Sequence, residues 1–184
     1  RWEQSALCFA GALAAQWAWI RVLRLEHVGY LSAIVTGIGL SVLVRADSLW
    51  VHPLVAALAI TAKFTVRIGN KHIFNPANLG VMIAVLFLPG ARLSPGQWGS
   101  DFIAALWFVA LGVTVTVSAR RFDIAWAFLA CYGLLLVGRL LWLDQRWAVL
   151  LNQLSSGGLL LFTFFMITDP MTTPNDRRMR WLYA

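Results

Sequence analysis

Seven apolar stretches follow one another along this chain with only short polar joints between them, and that feature limits the folds open to it. They run from about Ser5 to Leu23, Gly29 to Val44, Trp50 to Val66, Asn75 to Leu88, Asp101 to Ser118, Ile124 to Trp142 and Trp147 to Ile167. A helix that crosses a bilayer needs about 20 mostly apolar residues. The stretches are continuous rather than alternating, which excludes a membrane barrel and selects helices, whose backbone groups are bonded internally. The expected fold is all-α: a polytopic membrane helix bundle of six to seven spans, with no sheet, forming one integral membrane domain over 1–184. The Asn75 stretch is short for a span. Lys63 interrupts the third stretch, and a cation at depth is costly unless it snorkels or is paired.

Composition supports this and closes other routes. Hydrophobic residues are 60% and charged residues 12%, against about 45–50% and 25% in soluble domains. Disorder is excluded, because it needs low hydrophobicity. The first stretch has no basic segment ahead of it and further stretches behind it, so it reads as a helix and not a signal peptide.

The net charge of +7 comes from fifteen Lys and Arg against eight Asp and Glu. Most basic residues fall in the joints, so they report topology rather than nucleic-acid binding. If the joints alternate sides, Arg21, Arg24, Arg67, Lys71, Arg120, Arg121, Arg177, Arg178 and Arg180 share one side. Arg1, Arg45, Arg92 and Arg146 share the other. The richer side is expected to be cytoplasmic, with the N-terminus outside. Trp50, Trp98, Trp142, Trp147 and Trp181 fall at predicted interfaces, where they read as lipid anchors.

Isolated polar residues carry less. Cys8 and Cys131 lie inside apolar stretches and read as small core residues. His27, His52 and His72 stand alone beside predicted joints and read as interfacial. Gln16 and Asn152 read as interhelical hydrogen-bonding groups. Phosphate loops, Cys-x-x-Cys and His-x-x-x-His pairs are missing, so no metal site is expected.

Two stretches break the apolar pattern alike. One is Arg67-Ile-Gly-Asn-Lys-His-Ile-Phe-Asn-Pro-Ala-Asn-Leu-Gly80. The other runs from Ser155 through Ser156-Gly-Gly to Phe164-Phe-Met-Ile-Thr-Asp-Pro-Met-Thr172 and Pro174. Each sets a polar residue before proline (Asn75-Pro76, Asp169-Pro170), the signature of a helix start. Bare backbone at membrane depth is tolerated only under protein or water. The residues leave two readings open: ordinary capped loops, or interrupted helices meeting at a repeat interface.

The first block, with Ala62-Lys63 ahead of it, resembles the "FNPA" region of the RnfD/NqrB family. The second is similar to that family's "SGG…FFxATDPVT" stretch. The order and separation of the blocks also fit. The resemblance implies a bacterial cytoplasmic membrane subunit of an Rnf or sodium-pumping NADH:quinone oxidoreductase type complex, with other complex subunits and membrane lipid as partners. It implies a fold similar to part of a urea-transporter-like inverted repeat. Lys63, Asn75, Asn78, Gly80, Thr168, Asp169 and Thr172 are the cofactor-binding residues it implies.

Two departures shape the functional expectation. Flavinylated relatives carry Ser-Gly-Ala-Thr in an outward loop, whereas Pro89-Gly-Ala-Arg-Leu-Ser-Pro-Gly-Gln-Trp-Gly-Ser-Asp101 contains no threonine. Ser94 and Ser100 stand in the wrong context, so covalent flavin is not expected. The family usually has about ten spans in two repeats. The chain to Ala184 is therefore expected to be shortened: about 1–100 a first repeat-like half, about 101–184 an incomplete second. The expected function is an electron-transfer subunit holding a non-covalent flavin or meeting a quinone between the motifs. The alternative is an accessory subunit with no cofactor of its own, and a third reading is a small-solute channel.

Overall fold

The computed structural model describes residues 2–26, 28–94 and 102–184, and the chain divides into two compact units, Arg1–Ser94 and Pro95–Ala184. The first unit holds α1 (Trp2–Val22), α2 (Leu31–Leu43), β1 (Val44–Ala46), α3 (Val51–Thr65), β2 (Arg67–Ile68), β3 (Lys71–His72), α4 (Pro76–Phe87) and β4 (Ala91–Leu93). α1 opens with Glu3 and closes with Arg21, charges that complement the helix dipole. It lies along α3 and against α2, while α4 packs on α3 and α2.

Small residues make those contacts. Ala12, Ala33, Ala56, Ala59 and Ala84 are fully buried. A methyl at Gly11 would run into the Pro53 carbonyl oxygen, and one at Gly80 would stand 2.8 Å from Leu40 Cδ2. Where lipid removes the hydrophobic incentive to associate, close backbone approach of this kind is what holds helices together.

The expectation of no sheet is corrected by two short antiparallel ribbons. β1 pairs with β4, Arg45 opposite Arg92, and the Ser94 N–H extends the pairing to the Leu43 carbonyl at 2.7 Å. β2 pairs with β3 around Gly69-Asn70, where Gly69 takes a φ of 57° that a Cβ would strain. The reason is local. Helix ends leave backbone groups unpaired, and two adjacent joints satisfy one another's.

The second unit holds α5 (Phe102–Ser118), α6 (Phe122–Trp142), α7 (Trp147–Leu154), α8 (Gly157–Leu161), a π-helical turn (Phe162–Met166) and α9 (Arg177–Tyr183). Leu136 and Leu140 of α6 close on Leu150 of α7. Gly112 of α5 receives the Phe164 ring, whose Cγ lies 2.7 Å from where a methyl would stand. Phe128 meets Phe162 at 5.2 Å between ring centroids.

All seven apolar stretches become helix, but full span length is not general. Among the described residues α6 is the one helix long and apolar enough to cross a membrane alone. α7 and the stretch Gly157–Met166 qualify together, with a 43° bend between them. α2, α3 and α4 have 13, 15 and 12 residues, roughly 18–23 Å of helix against a hydrocarbon core of about 30 Å. α6 also presents its apolar surface outward: Trp126, Leu134, Leu135, Leu141 and Trp142 are exposed. Its length and exposed apolar surface together suit α6 to a bilayer. Cys131, expected in the core, is exposed on the same helix, whereas Cys8 is buried.

Candidate functional site

In the first unit the polar residues converge on Lys63. It lies in the last turn of α3, only 8% exposed. Its ammonium donates to Gln16 Oε1 at 2.8 Å and to Ser32 Oγ. It also lies 4.9 Å from the centroid of the Phe64 ring, a cation–π contact. Gln16 is fully buried and donates to the Gly29 carbonyl at 3.0 Å. Trp19 stacks on Phe64 at 5.8 Å and donates to Thr61 Oγ1. Among the described residues no carboxylate forms an ion pair with Lys63. A buried cation held only by neutral groups retains most of its desolvation cost and attracts electron-rich partners.

The first motif block enters the same unit as a helix start. Asn75 is the N-cap of α4, its Oδ1 accepting from the Asn78 N–H at 3.1 Å, with Pro76 in the first turn. Gly80, one turn on, lets α4 close on Leu40, Ala59 and Val55. Its observed role is packing.

The second block behaves differently. Asp169-Pro170 is not a helix start, which corrects the expectation. Asp169 Oδ1 accepts from the Met171 N–H at 2.9 Å, and its carbonyl accepts from Thr172 and Thr173 N–H. The result is a turn that ends the π-helical segment. Pro174 follows too closely for a helix to develop, since it lacks an N–H and disfavours helical backbone before it. The helix starts here are Ser156, which caps α8 by accepting from the Leu159 N–H at 3.2 Å, and Asp176, which caps α9. Thr168 is buried and donates to the Phe164 carbonyl at 2.7 Å, while the Thr172 hydroxyl donates to the Asp169 carbonyl.

Several positions gave no signal in sequence. Arg121 anchors the turn after the second motif, donating to the buried Thr173 Oγ1 at 2.9 Å and to Asn175 Oδ1 at 3.2 Å. Thr163, inside the π turn, is fully buried and its hydroxyl has no hydrogen-bond partner among the described residues. π turns concentrate at functional sites, and a buried hydroxyl without a partner is unusual. His52 is not interfacial as expected. It is fully buried in the first turn of α3, with Nδ1 3.8 Å from Cys8 Sγ. Ser32 became visible only through Lys63. His27, Trp98 and Ser100 lie outside the described residues, and Ser94 extends the β1–β4 ribbon.

Comparison with known proteins adds one finding. No curated protein and no solved structure matches the chain. The match that exists covers the second motif block, α6 and the turn that Arg121 anchors. Residues 95–184 match the model of the NQR2, RnfD, RnfE family.

Proposed function

We propose that the chain is a membrane subunit of an electron-transport complex of the NQR2, RnfD, RnfE kind, and that its motif residues receive a non-covalent flavin or a quinone. The observation carrying this reading is the family match, because the block from Ser156 to Thr172 lies within residues 95–184. Two features of the chain suit such a ligand. Lys63 is a buried cation that pairs with no carboxylate among the described residues, a donor suited to a quinone carbonyl or to the electron-rich edge of a flavin. The Thr163 hydroxyl, within the second block, is buried and has no hydrogen-bond partner among the described residues.

When bound, the flavin or quinone ring supplies the electron-carrying chemistry. Lys63 donates to it, and Gln16 and Ser32 hold that ammonium in place. Asn75, by capping at Asn78, sets the first turn of α4. Thr168, Asp169 and Thr172 hold the end of the π turn in one conformation.

The test is cofactor extraction from the intact complex, with the chain carrying Lys63→Met beside the unaltered chain. Flavin or quinone should accompany the unaltered complex and fall by about tenfold in the variant, the loss expected of one charge-assisted hydrogen bond. An active complex whose cofactors all reside in other subunits would establish the accessory reading, which the threonine-free loop favours.

A further inference from the structure

At the Phe122 end of α6 an open cavity of about 420 Å³ is lined by Val117, Arg120, Phe122, Asp123, Arg177 and Arg180. Three guanidiniums therefore surround one carboxylate. Asp123 is already committed: its Oδ2 lies 3.1 Å from Arg180 Nε. Arg180 is further held by donating to the Arg120 carbonyl at 2.9 Å. The guanidiniums of Arg120 and Arg177 have no hydrogen bond or ion pair among the described residues. The cavity thus holds an excess of two positive charges, on side chains that fold stability does not occupy.

Its depth in a membrane follows from α6. Twenty-one residues span about 31 Å of helix, close to the hydrocarbon thickness, so the first turn of α6 stands at headgroup level. The neighbouring α9 carries exposed Met179, Trp181 and Leu182 beside its arginines, the composition of an interfacial segment. Val117 and Phe122 add an apolar wall.

We propose that this cavity binds the phosphate of an anionic lipid headgroup, with Arg120 and Arg177 as its ligands and Arg180 as the fixed third charge. Guanidinium forks match phosphate oxygens in pairs, and basic pockets at this level suit anionic headgroups. The apolar flank favours a lipid over a soluble phosphate.

Native mass spectrometry of the full chain in neutral detergent, titrated with phosphatidylglycerol or phosphatidylcholine, tests this. Phosphatidylglycerol should bind about tenfold or more tightly than phosphatidylcholine, as expected for one or two charge-assisted bonds. Arg120→Gln with Arg177→Gln should abolish the preference. Arg178→Gln, which removes the same kind of charge outside the cavity, should leave it intact. Equal binding of the two lipids by the unaltered chain overturns the proposal. An equal loss in Arg178→Gln also overturns it, by reducing the effect to general basic charge. Displacement of phosphatidylglycerol by inorganic phosphate at about 10 mM, where bulk screening is weaker than at physiological salt, would make the ligand a soluble phosphate and overturn the lipid assignment.

Discussion

Lys63 and Asp169 were expected to do related work, and their surroundings separate them. Lys63 is buried with Gln16 and Ser32 as hydrogen-bond acceptors. Gln16→Leu should therefore destabilise the chain by about 1–3 kcal/mol, because it strips a buried ammonium of an acceptor. Lys63→Met should cost less, since it removes the charge together with its desolvation. The double variant should be less destabilised than the sum of the singles. Thermal unfolding in detergent measures all three, and additive losses would mean that the Lys63–Gln16 bond carries nothing. Asp169 accepts from the Met171 N–H within a turn, a bond that asparagine also makes. Asp169→Asn should preserve assembly where Asp169→Ala impairs it. If Asn retains assembly but loses electron transfer, the carboxylate charge is what the reaction needs; if both variants act normally, neither role survives.

At the scale of elements, helix starts and glycine contacts make opposite predictions along the same chain. Asn75 and Ser156 cap α4 and α8 through side-chain oxygens, so alanine at either should cost about 1 kcal/mol. Gly11→Ala should cost about 1–3 kcal/mol, because the added methyl meets Pro53 backbone rather than a movable side chain. Gly138, in α6, has nothing within 4 Å of an added methyl. Gly138→Ala should raise stability by about 0.5–1 kcal/mol through helix propensity. Midpoints of heat-induced unfolding rank the four variants. A destabilised Gly138→Ala would show that a partner covers that face of α6. The bend between α7 and α8 follows the same logic: Ser156 ends one helix by starting another, and Gly157-Gly158 place no Cβ at the break.

For the whole molecule the expectation about covalent flavin turns on one loop. Pro89–Asp101 contains no threonine, and covalent attachment requires a hydroxyl in the right sequence context. The denatured polypeptide should be dark under ultraviolet light in a gel, even where flavin is released from the native complex. A fluorescent band would mean that a serine of that loop has taken the threonine's place. Membrane localisation rests on α6, and the chain should remain in the pellet when membranes are washed with alkaline carbonate.

The apolar runs determined by themselves that this chain would be helical, and nearly where each helix lies, because continuous apolar sequence of that length has few other ways to satisfy its backbone. Asn75-Pro76 was legible as a helix start because capping is a matter of neighbouring residues. The second motif was half legible. Its break in the apolar pattern was visible, but whether Asp169 opens a helix or closes a turn depended on Pro174 and on Arg121 holding Thr173 from 52 residues away. The inward and outward faces were not legible at all. Cys8 and Cys131, or His52 and Lys63, sit in helices that are apolar nearly all round, and such helices carry no stripe to mark the core. Which side turns inward is settled by where glycines and alanines let neighbouring elements close in: Gly11 on the Pro53 backbone, Gly80 on the Leu40 side chain, Gly112 on the Phe164 ring. Those meetings brought Gln16 to Lys63 across 47 residues, and only the tertiary structure decides such pairings.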